Sequence, residues 1–143
     1  MTTSIEALSQ ALAAEHEAIF GYGIVGAHLD SDGQAAARQA EQMHRDRRDA
    51  VEVRVAAANV VPTAGAGAYA LPFPVTDAAS ALKLAVTLEE GVTRAWHTAL
   101  AATIGDDRRI AVDALTAGAV LAARWRVRAG IVPVTIPFPG AAS

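Results

Sequence analysis

The stretch VVPTAGAGAYALPFPVT, residues 60–76, decides how this chain is put together. It holds Pro62, Gly65, Gly67, Pro72 and Pro74. No helix interior tolerates so many breakers, because proline removes a backbone donor and glycine loses the most backbone entropy on ordering. The stretch therefore reads as a long connection between helices. Fully extended, it reaches about 56 Å at roughly 3.3 Å per residue. A helix of about 25 residues is only about 38 Å long. The connection can thus travel the whole length of a bundle and start the next helix at the end where the previous one started. Tyr69, Leu71 and Phe73 are expected to anchor it.

Working outward, the flanks are helical. Ile5, Leu8, Leu12, Glu15, Ile19, Tyr22, Gly26 and Leu29 recur at steps of three and four. That is one face of a helix over about 4–29, capped by Thr3 or Ser4. Asp30-Ser31-Asp32-Gly33 reads as a polar turn. A second helix over about 34–59 carries Ala37, Glu41, His44, Arg48, Val51, Val55 and Ala58 on one face. Beyond the connection, Thr76 or Asp77 caps a third helix over about 77–104, with Leu82, Ala85, Glu89, Val92, Trp96, Ala99 and Thr103 in line. Gly105-Asp106-Asp107 reads as a tight turn before a fourth helix over about 107–128. Two stripes compete there: Ile110, Asp113, Ala117, Val120, Arg124 and Val127, or Ala111, Leu115, Gly118, Ala122 and Trp125. Gly130 reads as the stop. The tail over 130–143 is apolar and broken by prolines, so it is expected to lie extended against the bundle or a partner. Short turns make helices 1–2 and 3–4 antiparallel hairpins, and the middle connection is expected to be one long crossover between helices 2 and 3, the alternative being a loose loop in a simple up-down bundle. The expected architecture is one all-α domain over 1–143, a ferritin-like four-helix bundle.

Composition agrees. The chain has 143 residues, no Cys and a net charge of −3. It is long enough for one core and too short for two ordinary ones. Without Cys, disulfides, Cys-ligated zinc, iron–sulfur clusters and thiol nucleophiles are excluded. Any metal must be held by oxygen and imidazole. The mild, mixed charge advertises no nucleic-acid surface. No apolar run is long enough for a membrane span, and the N-terminus lacks a signal-peptide pattern, so the expected location is cytoplasmic. The 35 Ala residues favour close-packed helices.

The inner faces carry the chemistry. Glu15, Glu41 and Glu89 fall where leucine is expected, and Asp113 lies on one stripe of helix 4. A buried carboxylate costs several kcal/mol unless a cation, a metal or a proton compensates it. Glu41-Gln42-Met43-His44 is a Glu-x-x-His step, which places both side chains on one face a turn apart.

These residues resemble the ferritin-like di-iron carboxylate proteins, in which two helices give one Glu each and two give Glu-x-x-His. The resemblance covers about residues 4–128. It implies Glu15, Glu41, His44 and Glu89 as metal ligands, with Glu89 bridging. Helix 4 departs from the pattern: Asp113-Ala114-Leu115-Thr116 has Asp for Glu and Thr for His. The chain is also similar to the actinobacterial ferritin-like domains of unknown function. That likeness is carried by AEHEAIFGYGIVGAHL (14–29), HRDRRDA (44–50), YALPFPV (69–75), LEEGV (88–92), ALTAGAVLAARWR (114–126) and FPG (138–140).

Height along the bundle favours a different grouping. Counted from the first turn, Glu15 is level with Arg48, while Glu41 lies about 10 Å away along the axis. Glu89 is level with His44, Arg124 falls close by, and Asp113 lies far off. The expected inner polar network is therefore Glu15, His44, Arg48, Glu89 and Arg124, two carboxylates against two guanidiniums and an imidazole. Arg suits such a site because its planar fork pairs bidentately with carboxylate.

The sequence thus supports a structural or binding module with a degenerate di-iron centre, no cofactor and no assigned catalytic residue. The alternative is an iron- or manganese-dependent oxidoreductase or iron-handling protein using Glu15, Glu41, His44 and Glu89. A small apolar ligand held beside Tyr22, Gly23 and Gly26 is a third expectation, and homodimer formation a fourth. His16, His28, Arg45 and Arg47 are expected at the surface, and Trp96 and Trp125 as core anchors.

Overall fold

The computed structural model describes residues 1–142. Four helices follow one another: α1 (Ser4–Ala27), α2 (Ser31–Ala57), α3 (Ala78–Leu100) and α4 (Gly105–Ala129). No strand occurs among the described residues.

The starts of the helices follow from side chains that satisfy free backbone donors. Thr3 and Glu6 form a reciprocal capping box on α1. Asp77 and Ser80 do the same on α3. The expected turn Asp30–Gly33 is shorter than its composition suggests. Asp30 Oδ1 accepts from the Gly33 amide at 2.8 Å, which makes Asp30 the N-cap and puts Ser31, Asp32 and Gly33 in the first turn of α2. Helix α4 begins at Gly105 rather than near 107, and α3 ends at Leu100 rather than near 104. Gly130 closes α4 with φ of 67°, the left-handed conformation that favours glycine.

Three helix ends meet at one pole. Asp107, at the start of α4, pairs with Arg54 near the end of α2 at 2.7 Å. The same carboxylate accepts from Ser4 Oγ at the start of α1, at 2.8 Å. Helix α1 packs on both α2 and α3, and α3 packs on α4. The segment after α2 keeps contact with the bundle as it passes. Thr63 donates to the Ser9 carbonyl at 3.3 Å, and its own carbonyl lies 2.8 Å from His16 Nε2. Farther on, the Tyr69 ring packs on Phe20, and the Lys83 ammonium sits over the Phe73 ring.

The interior is layered. One apolar cluster holds Leu8, Leu12, Val51, Val55, Val92 and Trp96. A second holds Tyr22, Val25, Leu84, Val86, Leu121 and Trp125. The stripe that α4 buries is the one through Ala111, Gly118, Ala122 and Trp125, while Asp113, Val120, Arg124 and Val127 are exposed. Gly21 lies where α1 meets α3 closely: a Cβ there would lie 2.5 Å from Leu88 Cδ1, so the Leu88 side chain would have to move aside. No helix among the described residues is long and apolar enough to cross a membrane.

Candidate functional site

Glu15 of α1, His44 of α2 and Glu89 of α3 are each wholly buried. His44 Nδ1 lies 2.6 Å from Glu15 Oε2, and its Nε2 lies 2.7 Å from Glu89 Oε1. Two carboxylate acceptors on two ring nitrogens require two N–H donors, so the ring is an imidazolium. Burial opposes that charge, but the hydrogen bonds and negative charges of Glu15 and Glu89 outweigh it and raise the His44 pKa to about 9.

The neighbours complete the site. Glu15 Oε1 accepts from Trp96 Nε1 at 2.6 Å and from Arg47 Nη1 at 3.0 Å. Burial pushes the Glu15 pKa up, yet His44, Arg47 and Trp96 together hold it below the ordinary carboxylate value. Glu89 Oε1 also accepts from the Tyr22 hydroxyl at 2.5 Å, and that hydroxyl accepts from Trp125 Nε1 at 2.8 Å. Burial, then the charge and hydrogen bond of Glu89, push Tyr22 well above the ordinary tyrosine range. Two carboxylates against one imidazolium and one guanidinium sum to zero charge. Glu89 Oε2 has no hydrogen-bond partner among the described residues. It faces Gly118 of α4, where a Cβ would lie 3.7 Å from it and 2.7 Å from Thr93 Oγ1.

A family model described as a domain of unknown function, DUF4439, matches residues 7–143. The chain belongs to the DUF4439 family. It is also similar to a solved structure, the crystal structure of a conserved hypothetical protein from Mycobacterium tuberculosis. The two are 40% identical, with 87% of this chain and 96% of that one covered, at a TM-score of 0.84. The expected kinship with an actinobacterial family of unknown function is thereby supported. No curated protein matches this chain.

Three of the residues singled out from the sequence meet in this DUF4439 chain, namely Glu15, His44 and Glu89. Glu41 does not join them. Its carboxylate is held at 2.7 Å by Arg45, one turn along the rim of α2. Arg48 pairs with its neighbour Asp49 at 2.9 Å and does not reach Glu15. Arg124 is exposed, as is Asp113. Tyr22 belongs to the network and not to a ligand pocket, for its ring packs between His44 and Trp125. Gly23 faces open space, and Gly26 meets the Ala37 methyl. The donor set does not fit the paired-metal pattern that the resemblance implied. Both His44 nitrogens are occupied by carboxylates, Glu41 is turned away, and α4 offers glycine opposite Glu89. Among the described residues no group of three or more His, Asp or Glu side chains is disposed to hold a metal.

Arg47, expected at the surface, is the cation that reaches Glu15. Its sequence signal is weak but real, because it stands three residues after His44 and so shares that face. Trp96 is the core anchor expected and also a donor to Glu15. A buried indole N–H needs an acceptor, and Glu15 is the acceptor on the facing helix.

Proposed function

We propose that this DUF4439 chain is a ferritin-like bundle, with residues 58–77 as its long crossover, in which a His44-centred ion network stands in place of a metal pair. On this reading it works as a structural or binding module and not as a redox enzyme. The observation that carries the reading is the engagement of both His44 ring nitrogens by Glu15 and Glu89. A ring in that state has no lone pair to offer a metal. The crossover draws support from the contacts of Thr63, Tyr69 and Phe73 along α1 and onto α3. Self-association draws support from Val112 and Val127, which are exposed on α4.

The alternative, an iron- or manganese-dependent oxidoreductase of the di-iron carboxylate type, is favoured by one observation, the unpartnered Glu89 Oε2. Metal analysis separates the two. Protein made in iron- and manganese-supplied cells should carry well under one metal per chain. About two metals per chain, lost in His44→Ala, would sink the network reading.

A further inference from the structure

The C-terminal tail is strapped onto the outer faces of α3 and α4, and the three together enclose a cleft of about 750 Å³. That volume is within the usual span of small-molecule sites, about 300–1,000 Å³. The strap is pinned at two points. Arg126 donates to the Val134 carbonyl at 3.4 Å and is ion-paired with Glu90. Gly140, at φ of 81°, sits where a Cβ would lie 2.6 Å from the Thr93 carbonyl oxygen, so the chain can close down there only as glycine.

The lining is apolar with a charged edge. Leu115, Ala119, Val120 and Ala123 of α4 face Ile136 and Pro139 of the tail. The charged lining residues are Glu90, Arg94, Arg124 and Arg126, three positive against one negative, which leaves two positive charges. Arg126 is already committed to Glu90. Arg94 and Arg124 make no side-chain ion pair or hydrogen bond among the described residues, and both are exposed. In a chain of net charge −3, this cleft is a local reversal of sign.

We propose that the cleft binds a small amphipathic anion, with a carboxylate head on Arg94 and Arg124 and an aliphatic body along Leu115, Ala119 and Val120. Guanidinium is suited to such a head because its donors match the two carboxylate oxygens. The proposal rests on the binding-module reading for its role and supplies the ligand class which that reading lacks.

The test is calorimetric titration of the full chain with decanoate, and with decyltrimethylammonium, which has the same tail under a cationic head. Decanoate should bind saturably at one site per chain and the cation at least tenfold more weakly. Arg94→Gln with Arg124→Gln should weaken decanoate at least tenfold. Ala119→Phe, checked for an unchanged helical spectrum, should abolish it. No saturable decanoate binding, equal binding of the two head groups, or unaltered affinity in the double arginine variant would each overturn the proposal. So would tight binding to anionic phospholipid vesicles that free decanoate does not compete away, since that is a membrane surface. Metal content measured on the same samples keeps the two readings apart. A metal-free chain that ignores decanoate refutes the cleft alone, whereas about two metals per chain refutes the module reading whatever decanoate does.

Discussion

Raising the pH from 6.5 towards 9 is the perturbation that bears most specifically on the buried imidazolium. In the unfolded chain His44 gives up its proton near 6.5, while in the fold it holds it to about 9. A group whose folded pKa is raised contributes stability that is fully present below the unfolded value and is lost as pH rises through the folded one. The window is therefore pH 6.5 to 9. At about 1.4 kcal/mol per pH unit, the gap between 6.5 and about 9 is worth about 3–4 kcal/mol in full, of which about 3 kcal/mol is lost by pH 9. Above pH 10, Tyr22 adds a further loss, since its folded pKa is also raised. On the acid side the sign reverses. Glu15 is depressed, so its contribution is present above about 4.5 and fades as pH falls below it. Urea unfolding, followed by tryptophan fluorescence at constant ionic strength, measures the whole curve. Stability should be highest between about pH 4.5 and 6.5 and fall by about 3 kcal/mol by pH 9. A curve that is flat or rising between pH 6.5 and 9 would refute the reasoning, because His44 would then be neutral in the fold.

Other substitutions test individual contacts. Arg47→Ala should cost about 2 kcal/mol in chemical unfolding, the worth of a hydrogen bond to a charged, buried partner, whereas Arg48→Ala should stay within about 0.5 kcal/mol; equal effects would contradict the pairing of Arg47 with Glu15. Trp96→Phe keeps an aromatic side chain but removes the indole N–H that donates to Glu15 Oε1 and leaves space where the indole's second ring packed, so it should cost at least about 2 kcal/mol, and a change under about 0.5 kcal/mol would show that this contact carries nothing. Gly118→Ala is diagnostic by its sign. In an open helix interior the change gains about 1 kcal/mol, but here the new methyl meets Thr93 Oγ1, so thermal melting should show a loss of about 1–3 kcal/mol.

How much of this was legible in the sequence depends on the residue. Glu15, His44 and Glu89 stand in the helical period where leucine is expected, so their inward direction could be read directly. Arg47 and Arg48 could not be told apart in that way. Both follow His44 by about one turn, and a long flexible side chain lets either reach inward. Axial height alone favoured Arg48, and the facing geometry chose Arg47. Helix α4 was ambiguous because alanine weights both stripes equally. Gly118 and Trp125 decide it in the fold, one by admitting Thr93 and the other by donating to Tyr22. The spacing of Glu41 to His44 points it inward, yet Arg45 one turn on offers it a partner without any desolvation of the core. The composition of the Asp30–Gly33 segment points to a turn, although an aspartate three residues before a glycine amide serves equally as a cap. The prolines of the tail point to a segment laid against the bundle, but the cleft beneath it has no sequence signal, because it exists only where Arg126 and Gly140 hold the strap.

The state of His44 itself is the most direct test of the central claim. With 15N-labelled histidine, nuclear magnetic resonance at neutral pH should show protons on both ring nitrogens, retained until a midpoint near pH 9. A neutral ring with one bare nitrogen, or a nitrogen bound to a metal, would contradict the account.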